Sequence, residues 1–311
     1  MPELQSADTR TFPSSIGTRG SPLALWQAEA VRAALERIGV AGEVMAIRTT
    51  GDRITDRPLA EAGGKGLFTK EIDEALLDGR IGLAVHSAKD LPTALPDGIV
   101  IAACLARADC RDAFLSPHAG HVRDLAPGAV IGTASLRRAA LALRLRPDLR
   151  IVPMRGNVET RLKKLEAGEA DATMLALAGL MRLGLADRAA GILGTDEWLP
   201  APGQGTIAIT ARADDAAMLA ALAQIDHRPT SIALSAERAF LAVLDGSCRT
   251  PIGGLAEIDG DALRFRGIIV KPDGSLAHEV ERRGAVSQAE ALGADAGQEL
   301  ARQGGPDFFA V

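Results

Sequence analysis

Short apolar runs alternate with amphipathic, helix-like stretches along the first two-thirds of the chain. The pattern predicts strands near residues 43–49, 83–86, 99–104, 129–132, 150–154, 172–176 and 206–210. It predicts helices near residues 22–38, 69–78, 135–144, 157–166 and 177–183. This alternation is typical of an α/β fold, with mainly parallel sheets and helices on both faces.

The C-terminal part of the chain follows another pattern. A helix is predicted over residues 231–244, and a loop rich in glycine and proline follows over 245–254. Two strands, 263–270 and 275–280, flank the turn sequence Lys271-Pro-Asp-Gly274, and a last helix is predicted over 287–302. Strands followed by a helix indicate a separate small α+β domain, and the proline- and glycine-rich passage 199–205 is typical of a crossover between domains.

Composition limits the class of protein. A chain of 311 residues is long enough for two domains or three smaller ones. A net charge of −5, with two Trp, seven Phe and no Tyr, argues against a nucleic-acid binder. The first ten residues lack a secretory pattern, apolar runs are far shorter than a membrane span, and three cysteines without a CxxC pair fit a reducing compartment. We expect a soluble cytoplasmic protein that binds neither nucleic acid nor membrane.

Arginine supplies 29 of the 35 basic residues. Codon bias in an alanine-rich chain is one explanation. The distribution favours another, because residues 105–164 hold 12 basic and 5 acidic side chains inside a protein that is acidic overall. Arginine presents a planar fork that matches carboxylates and phosphates, so this part of the chain is predicted to contribute to a cleft for anions.

Four segments share the order of strand, tight polar loop and helix start, namely residues 17–21, 86–90, 132–138 and 154–157. In open α/β sheets the carboxyl ends of strands line the ligand crevice, and helix N-termini there favour anions. Four arginines fall at these junctions and a fifth lies on the next helix: Arg19, Arg137, Arg138, Arg155 and Arg161. We expect them to converge on one polyanionic ligand, the alternative being that each is a solvated surface charge.

Asp90 is the carboxylate of most interest, since it follows a buried-looking strand and stands beside Lys89. A carboxylate held among cations stays ionised, so it is a candidate for stabilising a developing positive charge or for moving a proton. The alternative is a turn aspartate that caps its own backbone before the next proline. His86 has no second histidine at metal-ligand spacing, so we interpret it as structural, and no metal site is predicted.

Two loops carry further candidates. The glycine-rich sequence 63–69 contains Lys65 and Phe68 without the Walker A order, so it is interpreted as a hinge or lid that faces a ligand. Cys248 lies beside Arg249 in a loop, where a neighbouring cation favours the nucleophilic thiolate, and an inert thiol is the alternative. A papain-like hydrolase would need a partner histidine, and none of the five has a recognisable context.

Eight segments, in the same order along the chain, resemble the hydroxymethylbilane synthase (porphobilinogen deaminase) family. They are GTRGSPLALWQA (17–28), GGKGLFTKE (63–71), AVHSAKDLP (84–92), GTASLRR (132–138), RGNVETRL (155–162), LALAGLMRLG (175–184), APGQG (201–205) and LDGSCRTPIGG (244–254). One segment alone is weakly specific, whereas eight in order are highly specific. Ala88, where the family commonly has a larger apolar residue, and the absence of tyrosine are departures that touch no named catalytic group.

The resemblance implies two domains of the periplasmic-binding-protein type, with mixed, mainly parallel sheets, and a smaller C-terminal α+β domain. Domain 1 would comprise residues 1–105 and 206–223, domain 2 residues 106–205, and domain 3 residues 224–311. A monomer is expected.

The resemblance also implies the activity. Four porphobilinogen molecules would be deaminated and joined head to tail on a dipyrromethane cofactor attached to Cys248 through a thioether, and water would then release linear hydroxymethylbilane. Asp90 and Lys89 match catalytic positions. The cofactor would also be bound by Arg19, Ser21, Lys89, Asp90, Thr133, Ser135, Arg137, Arg138, Arg155 and Gln204. Porphobilinogen, with its acetate and propionate, would be bound by Arg19, Ser87, Arg155, Arg161, Lys65 and Phe68.

The alternative function is a non-catalytic anion-binding protein of the periplasmic type. It shares the expected architecture and the arginine-lined crevice. Such a protein would normally carry an export signal, and it needs no cysteine in a third domain. The lack of a secretory pattern in the first ten residues and the presence of Cys248 in the third domain therefore favour the enzyme.

Overall fold

The computed structural model describes residues 14–53, 66–244 and 250–309. Its strands are β1 (Ser14–Arg19), β2 (Gly42–Ile47), β3 (Leu83–Ser87), β4 (Ile99–Cys104), β5 (Asp112–Leu115), β6 (Val130–Gly132), β7 (Arg150–Val152), β8 (Ala172–Ala176), β9 (Gly191–Leu193), β10 (Ile207–Arg212), β11 (Ile252–Asp259), β12 (Ala262–Val270) and β13 (Ala277–Ala285). Its α-helices are α1 (Pro22–Glu36), α2 (Thr50–Arg53), α3 (Lys70–Leu77), α4 (Leu136–Leu145), α5 (Val158–Glu166), α6 (Leu177–Arg182), α7 (Ala216–Ala223), α8 (Arg228–Val243) and α9 (Ala289–Gly304). Short 3₁₀ turns include Ala88–Asp90, directly after β3.

The strands form three sheets, which define three units. Unit 1 has the strand order β2-β1-β3-β10-β4, unit 2 has β7-β6-β8-β5-β9, and unit 3 has β11-β12-β13. Units 1 and 2 are mixed sheets, each with two parallel and two antiparallel pairings. In unit 1 both antiparallel pairings involve β10, the strand with which the chain returns after completing unit 2. The predicted fold class is confirmed, while the residue boundaries of the three domains stay a prediction.

Unit 3 shares its core with unit 2. Trp198 and Leu199, from the end of unit 2, lie in one apolar cluster with Leu255, Ile268 and Val270 of the third sheet. The turn between β12 and β13 also packs closely on α4, because a Cβ at Gly274 (φ +75°) would lie 2.4 Å from the backbone nitrogen of Arg144. Only glycine combines that backbone angle with that approach.

Unit 3 also touches unit 1 through helix α8. Leu234 on α8 is buried in a cluster with Ala88, Leu91, Cys104 and Ala208 of unit 1. Helix α8 therefore lies against the 3₁₀ turn that follows β3.

Several elements differ from the sequence prediction. Strand β11 begins at Ile252, so the prediction of a loop up to residue 254 is wrong at its end. The pattern missed β11 as a strand, and it also missed β1, β5, β9, α2 and α7. The pattern does not reveal strand β1 because its residues are mostly small and polar. It does not reveal α7 because this helix is almost wholly apolar and has no polar face to show a helical period.

Candidate active site

The cleft of unit 1 brings together five of the predicted site residues. Arg19, Ser21, Phe68, Ser87 and Asp90 line one cavity with about 420 Å³ of empty space, part of it open to solvent. The sequence folds this way because β1 and β3 are parallel neighbours, so their carboxyl ends and the loops that follow lie side by side.

Two of these side chains are held by local contacts. Ser21 caps helix α1, its Oγ accepting from the Ala24 amide at 3.3 Å. The guanidinium carbon of Arg19 lies 4.2 Å from the centre of the Phe68 ring, a cation–π contact. Phe68 therefore forms part of the wall against which Arg19 is oriented.

The loop after β3 presents Asp90 to the cleft. The Leu91 amide donates to the Ala88 carbonyl at 3.2 Å, so the backbone itself closes this turn. Asp90 is one of the residues that line the cavity. This favours the functional interpretation of Asp90 over a turn aspartate that caps its own backbone.

His86 and Ser87 stand at the end of β3 with different surroundings. Burial, helped by the charge of Arg19, lowers the pKa of His86 to about 4, so the ring is neutral at physiological pH. Its Nε2 lies 3.2 Å from Thr210 Oγ1 on the neighbouring strand, in keeping with a structural histidine. Ser87 Oγ accepts a hydrogen bond of 2.9 Å from Gln27 Nε2, which orients the hydroxyl at the cleft wall.

A series of hydrogen bonds connects unit 1 to unit 2. Lys89 Nζ donates to Gln204 Oε1 at 3.1 Å, and Gln204 Nε2 donates to Asp112 Oδ1 at 2.9 Å and to the Cys110 carbonyl at 2.8 Å. Gln204 is completely buried, and both ends of its amide are used. Gln204 lies between Gly203 (φ +78°) and Gly205 (φ +88°). A Cβ on Gly203 would come within 3.0 Å of the backbone nitrogen of Lys89.

Asp112 is the centre of a buried ion network that the sequence analysis missed. Arg137 Nη2 and Arg138 Nη2 each donate to its carboxylate at 2.7 Å, and Trp198 Nε1 donates at 2.8 Å. Burial alone raises the pKa of Asp112, but the two guanidinium groups outweigh it and hold the pKa well below its usual range. The signal in the sequence is a single carboxylate at the start of an otherwise apolar strand.

Arg137 and Arg138 are therefore less accessible than the sequence suggested. Their exposed fractions are 4% and 5%, and each also donates to a backbone carbonyl, of Leu199 and Met174 respectively. The Nε atom of each is buried without a hydrogen-bond partner. Two donors thus remain without a hydrogen-bond partner among the described residues, and both are shielded from solvent.

Thr133 and Ser135 build the start of α4. Thr133 Oγ1 accepts from the Ser135 amide at 3.1 Å, and Ser135 Oγ accepts from the Arg138 amide at 3.4 Å. The capped N-terminus places Arg137 and Arg138 in the first turn of the helix, where free backbone N–H groups favour anions.

Arg155 and Arg161 lie at the start of the next helix of unit 2. Asn157 caps α5 through the Thr160 amide at 2.8 Å, and Arg161 Nε donates to the Gly156 carbonyl at 2.9 Å. Burial, together with the charges of Arg138 and Arg155, lowers the pKa of Arg161 to about 10, while the charge of Asp90 opposes the shift. Arg161 of unit 2 is therefore close enough to Asp90 of unit 1 for the two charges to interact.

Lys89 experiences the same surroundings. Burial and the charge of Arg138 lower its pKa to about 8, while Asp90 and Asp112 act in the opposite direction. The ammonium group is therefore easier to deprotonate than an ordinary lysine.

A second buried ion pair joins the three units behind the cleft. Glu237, on α8, accepts from both terminal nitrogens of Arg107, at 2.6 and 3.2 Å, and from the amides of Gly203 and Ala256. The sequence analysis missed it, although a lone glutamate on the apolar face of a helix, between Ala233 and Phe240, is the signal that could have found it.

Two predicted site residues, Lys65 and Cys248, lie outside the residues that the structure describes. Across the described ranges 14–53, 66–244 and 250–309, none of the helices has the length and apolar character that a membrane span requires.

Two family models match the chain. Residues 15–220 match the dipyrromethane cofactor binding domain of porphobilinogen deaminase, and residues 231–302 match its C-terminal domain. The chain is 58% identical over 312 aligned residues to the porphobilinogen deaminase of Nitrobacter winogradskyi and to that of Nitrobacter hamburgensis, with 99% of each chain covered in both cases. The chain belongs to the porphobilinogen deaminase family. The predicted family, the enzyme class of transferase and the dipyrromethane cofactor are thereby confirmed, and the enzyme is favoured over a non-catalytic anion-binding protein.

Solved structures resemble the chain more remotely. A periplasmic substrate-binding protein of an ABC transporter from Coxiella burnetii gives a TM-score of 0.44 at 17% identity, covering 72% of this chain and 96% of its own. A methionine-binding lipoprotein from Bacillus subtilis gives 0.43 at 15% identity, covering 69% and 90%.

The residues of the cleft fit the cofactor of the porphobilinogen deaminase family. A dipyrromethane built from two porphobilinogen units carries four carboxylates. Arg19 lines the cleft, and Lys89 and Arg161 both interact with the charge of Asp90 at its wall. Charged donors of this kind match carboxylate acceptors.

Proposed function

We propose that the protein deaminates porphobilinogen and joins four units head to tail on dipyrromethane bound through Cys248, then releases linear hydroxymethylbilane by hydrolysis. The observation that carries this proposal is a cavity lined by Arg19 and Asp90, with Arg161 of unit 2 close enough to Asp90 for the two charges to interact. A growing chain that gains two carboxylates with each unit needs a cleft lined by cations, and it needs one fixed carboxylate where positive charge develops.

The cofactor and its attachment supply the starting point. When bound, dipyrromethane provides the pyrrole carbon to which the first substrate unit is joined. Helix α8 ends close to the loop 245–249, so we assign Cys248 in that loop to the thioether. A covalent tether keeps the product from leaving while one site acts repeatedly.

Asp90 is assigned the central catalytic role. Loss of ammonia from porphobilinogen leaves a positive charge on the substrate, and an ionised carboxylate at the cleft wall stabilises that charge as it forms. Its carboxylate oxygens are also suited to accept hydrogen bonds from pyrrole N–H groups.

Lys89 and the arginines are assigned to the substrate carboxylates. Lys89 is held by Gln204, whose amide is wholly buried, so we assign Gln204 to the orientation of Lys89. Arg19, held by Phe68, and Ser87 are assigned to the incoming porphobilinogen on the unit 1 side, and Arg155 and Arg161 on the unit 2 side.

An Asp90→Asn variant tests the assignment. Because asparagine keeps the shape and removes the charge, we expect ammonia release to fall by about 100-fold or more, while the intact mass still includes the two pyrroles of the cofactor. Asp97→Asn, an exposed aspartate in the same unit, is the matched control and should retain wild-type turnover. Near-normal ammonia release by Asp90→Asn would remove Asp90 from the mechanism.

We further infer that the protein works as a monomer in the cytoplasm. The cleft draws its side chains from two units of one chain, so no second copy is needed to complete it. Light scattering during gel filtration should give the mass of a single chain, and a dimer at micromolar concentration would contradict this.

A further inference from the structure

Helix α8 contacts the loop of Asp90 through two side chains one turn apart. Leu234 lies in one apolar cluster with Ala88 and Leu91, the residues on either side of the Lys89-Asp90 pair. Four positions later, on the same face of the helix, Arg238 Nη2 donates to the carbonyls of Pro92 at 3.0 Å and Thr93 at 2.8 Å. The loop is therefore held on both sides of Asp90 by one helix of unit 3.

Arg238 is an unusual side chain to find at such a contact. Burial lowers its pKa, and in the part of the chain that the structure describes no carboxylate pairs with it. A half-buried cation without an anion is costly, and an apolar side chain of similar length would pack there more cheaply. The two hydrogen bonds of Arg238 to the Asp90 loop are therefore better explained by a role in positioning this loop than by a contribution to the free energy of unfolding.

The same helix is fixed to the rest of the molecule next to Arg238. Glu237 accepts from Arg107 and from the Gly203 amide, both in the segments that join units 1 and 2. Helix α8 then runs on to Leu244, six residues beyond Arg238, or about 9 Å along the helix axis. Residues 245–249, with Cys248, follow directly in the sequence.

We propose that Arg238 is a positioning residue that sets the place of the Asp90 loop relative to helix α8. This inference rests on the proposed function, because it needs Asp90 to act in catalysis. Arg238 itself touches neither substrate nor cofactor in this assignment. It acts through the carbonyls of Pro92 and Thr93.

The test compares Arg238→Met, Arg238→Lys and the control Arg228→Met in the full-length protein loaded with cofactor. Methionine keeps the stem and removes the donors, and Lys keeps one donor group. Arg228 is an exposed arginine on the same helix, far from the loop. We expect Arg238→Met to keep its cofactor mass and melting temperature, to lose about tenfold in kcat, and to change KM less than twofold. Arg238→Lys should recover part of kcat, and Arg228→Met should match the wild type.

Hydrogen–deuterium exchange gives a readout that a purely structural role would not move selectively. In Arg238→Met the amides of residues 88–94 should exchange faster, while those of the third sheet stay as in the wild type. Equal kcat in Arg238→Met and wild type would overturn the proposal, as would a loss of kcat with uniformly faster exchange in both methionine variants. Failure of the proposed function would look different, since the wild type itself would then lack the pyrrole mass and release no ammonia.

Discussion

Unit 2 presents two pairs of arginines at the starts of neighbouring helices, and the pairs differ in what surrounds them. Arg137 and Arg138 on α4 are almost fully buried and share the carboxylate of Asp112. Arg155 and Arg161 at α5 are half-buried, and Arg161 donates to a backbone carbonyl. Position at a helix start therefore does not determine how deeply an arginine is buried, whereas the buried carboxylate of Asp112 does so for the α4 pair.

The two pairs of arginines therefore differ in the contacts they make. The α4 pair forms, with Asp112 and Trp198, a buried hydrogen-bonded group, here called the Asp112 floor, in which the Nε atoms of both arginines have no partner. Arg161 of the α5 pair interacts with the charge of Asp90. We expect substitutions of Asp112 or of the α4 pair to lower the free energy of unfolding. Substitutions of the α5 pair should weaken the binding of substrate.

The largest effect is expected from Asp112→Asn. Removing the charge leaves two buried guanidinium groups without an anion, so the free energy of unfolding should fall by about 3–5 kcal/mol, measured by urea denaturation. Asp97→Asn, at an exposed aspartate of unit 1, is the control and should leave the urea midpoint unchanged. A variant at Asp112 as stable as the wild type would mean that the α4 pair does not depend on its carboxylate.

The variant Arg161→Gln tests the α5 pair. We expect an unchanged melting temperature and a loss of about 10- to 100-fold in kcat/KM, since a charged hydrogen bond to a carboxylate contributes ~1.5–3 kcal/mol. Steady-state kinetics with porphobilinogen measures it, with Arg188→Gln as an exposed control in the same unit. Unchanged kinetics would remove Arg161 from the cleft's binding role.

Gly203→Ala probes the joint between the Asp112 floor and the Lys89 loop. A positive φ costs an alanine about 1–2 kcal/mol, and here the added methyl group also meets the backbone of Ala88 and Lys89. Gly39→Ala has φ +80° with nothing within 4 Å, so it measures the backbone cost alone. Thermal unfolding should show the larger loss at Gly203, and equal losses would argue against a close contact there.

The smallest expected effect is the pH dependence that Lys89 confers. Its pKa in the folded protein is about 8, so the charged form is present below that pH and is lost as the pH rises through it. We expect kcat/KM to fall to about half its plateau near pH 8. Lys89→Arg keeps its charge to far higher pH, so its residual activity should show no fall there, and an identical alkaline limb in both proteins would assign it to another group.

Local patterns in the sequence predicted much of the fold and the places of the candidate residues. The alternation of strand and helix located β3, β4, β8 and α1, and the strand-to-helix junctions located Arg19, Ser21, Ser87 and Asp90, which the structure gathers in one cleft. These features succeed because they depend on short-range periodicity and on the common edge of parallel strands.

Long-range pairing was beyond the sequence. Asp112 meets Arg137 and Trp198 across 25 and 86 residues, and Gln204 meets Lys89 across 115. No local pattern encodes such contacts. The burial of Arg137 and Arg138 follows from these contacts, so the sequence could not reveal it; their assignment to the cofactor stays a prediction.

The intact mass of the purified chain tests the central claim, a cationic cleft built around an acidic oligopyrrole tethered beside Asp90. The wild-type mass should exceed that of the sequence by two linked pyrrole units, and Cys248→Ser should show the mass of the sequence alone. A wild-type protein without the excess, or a Cys248→Ser protein that retains it, would contradict the account.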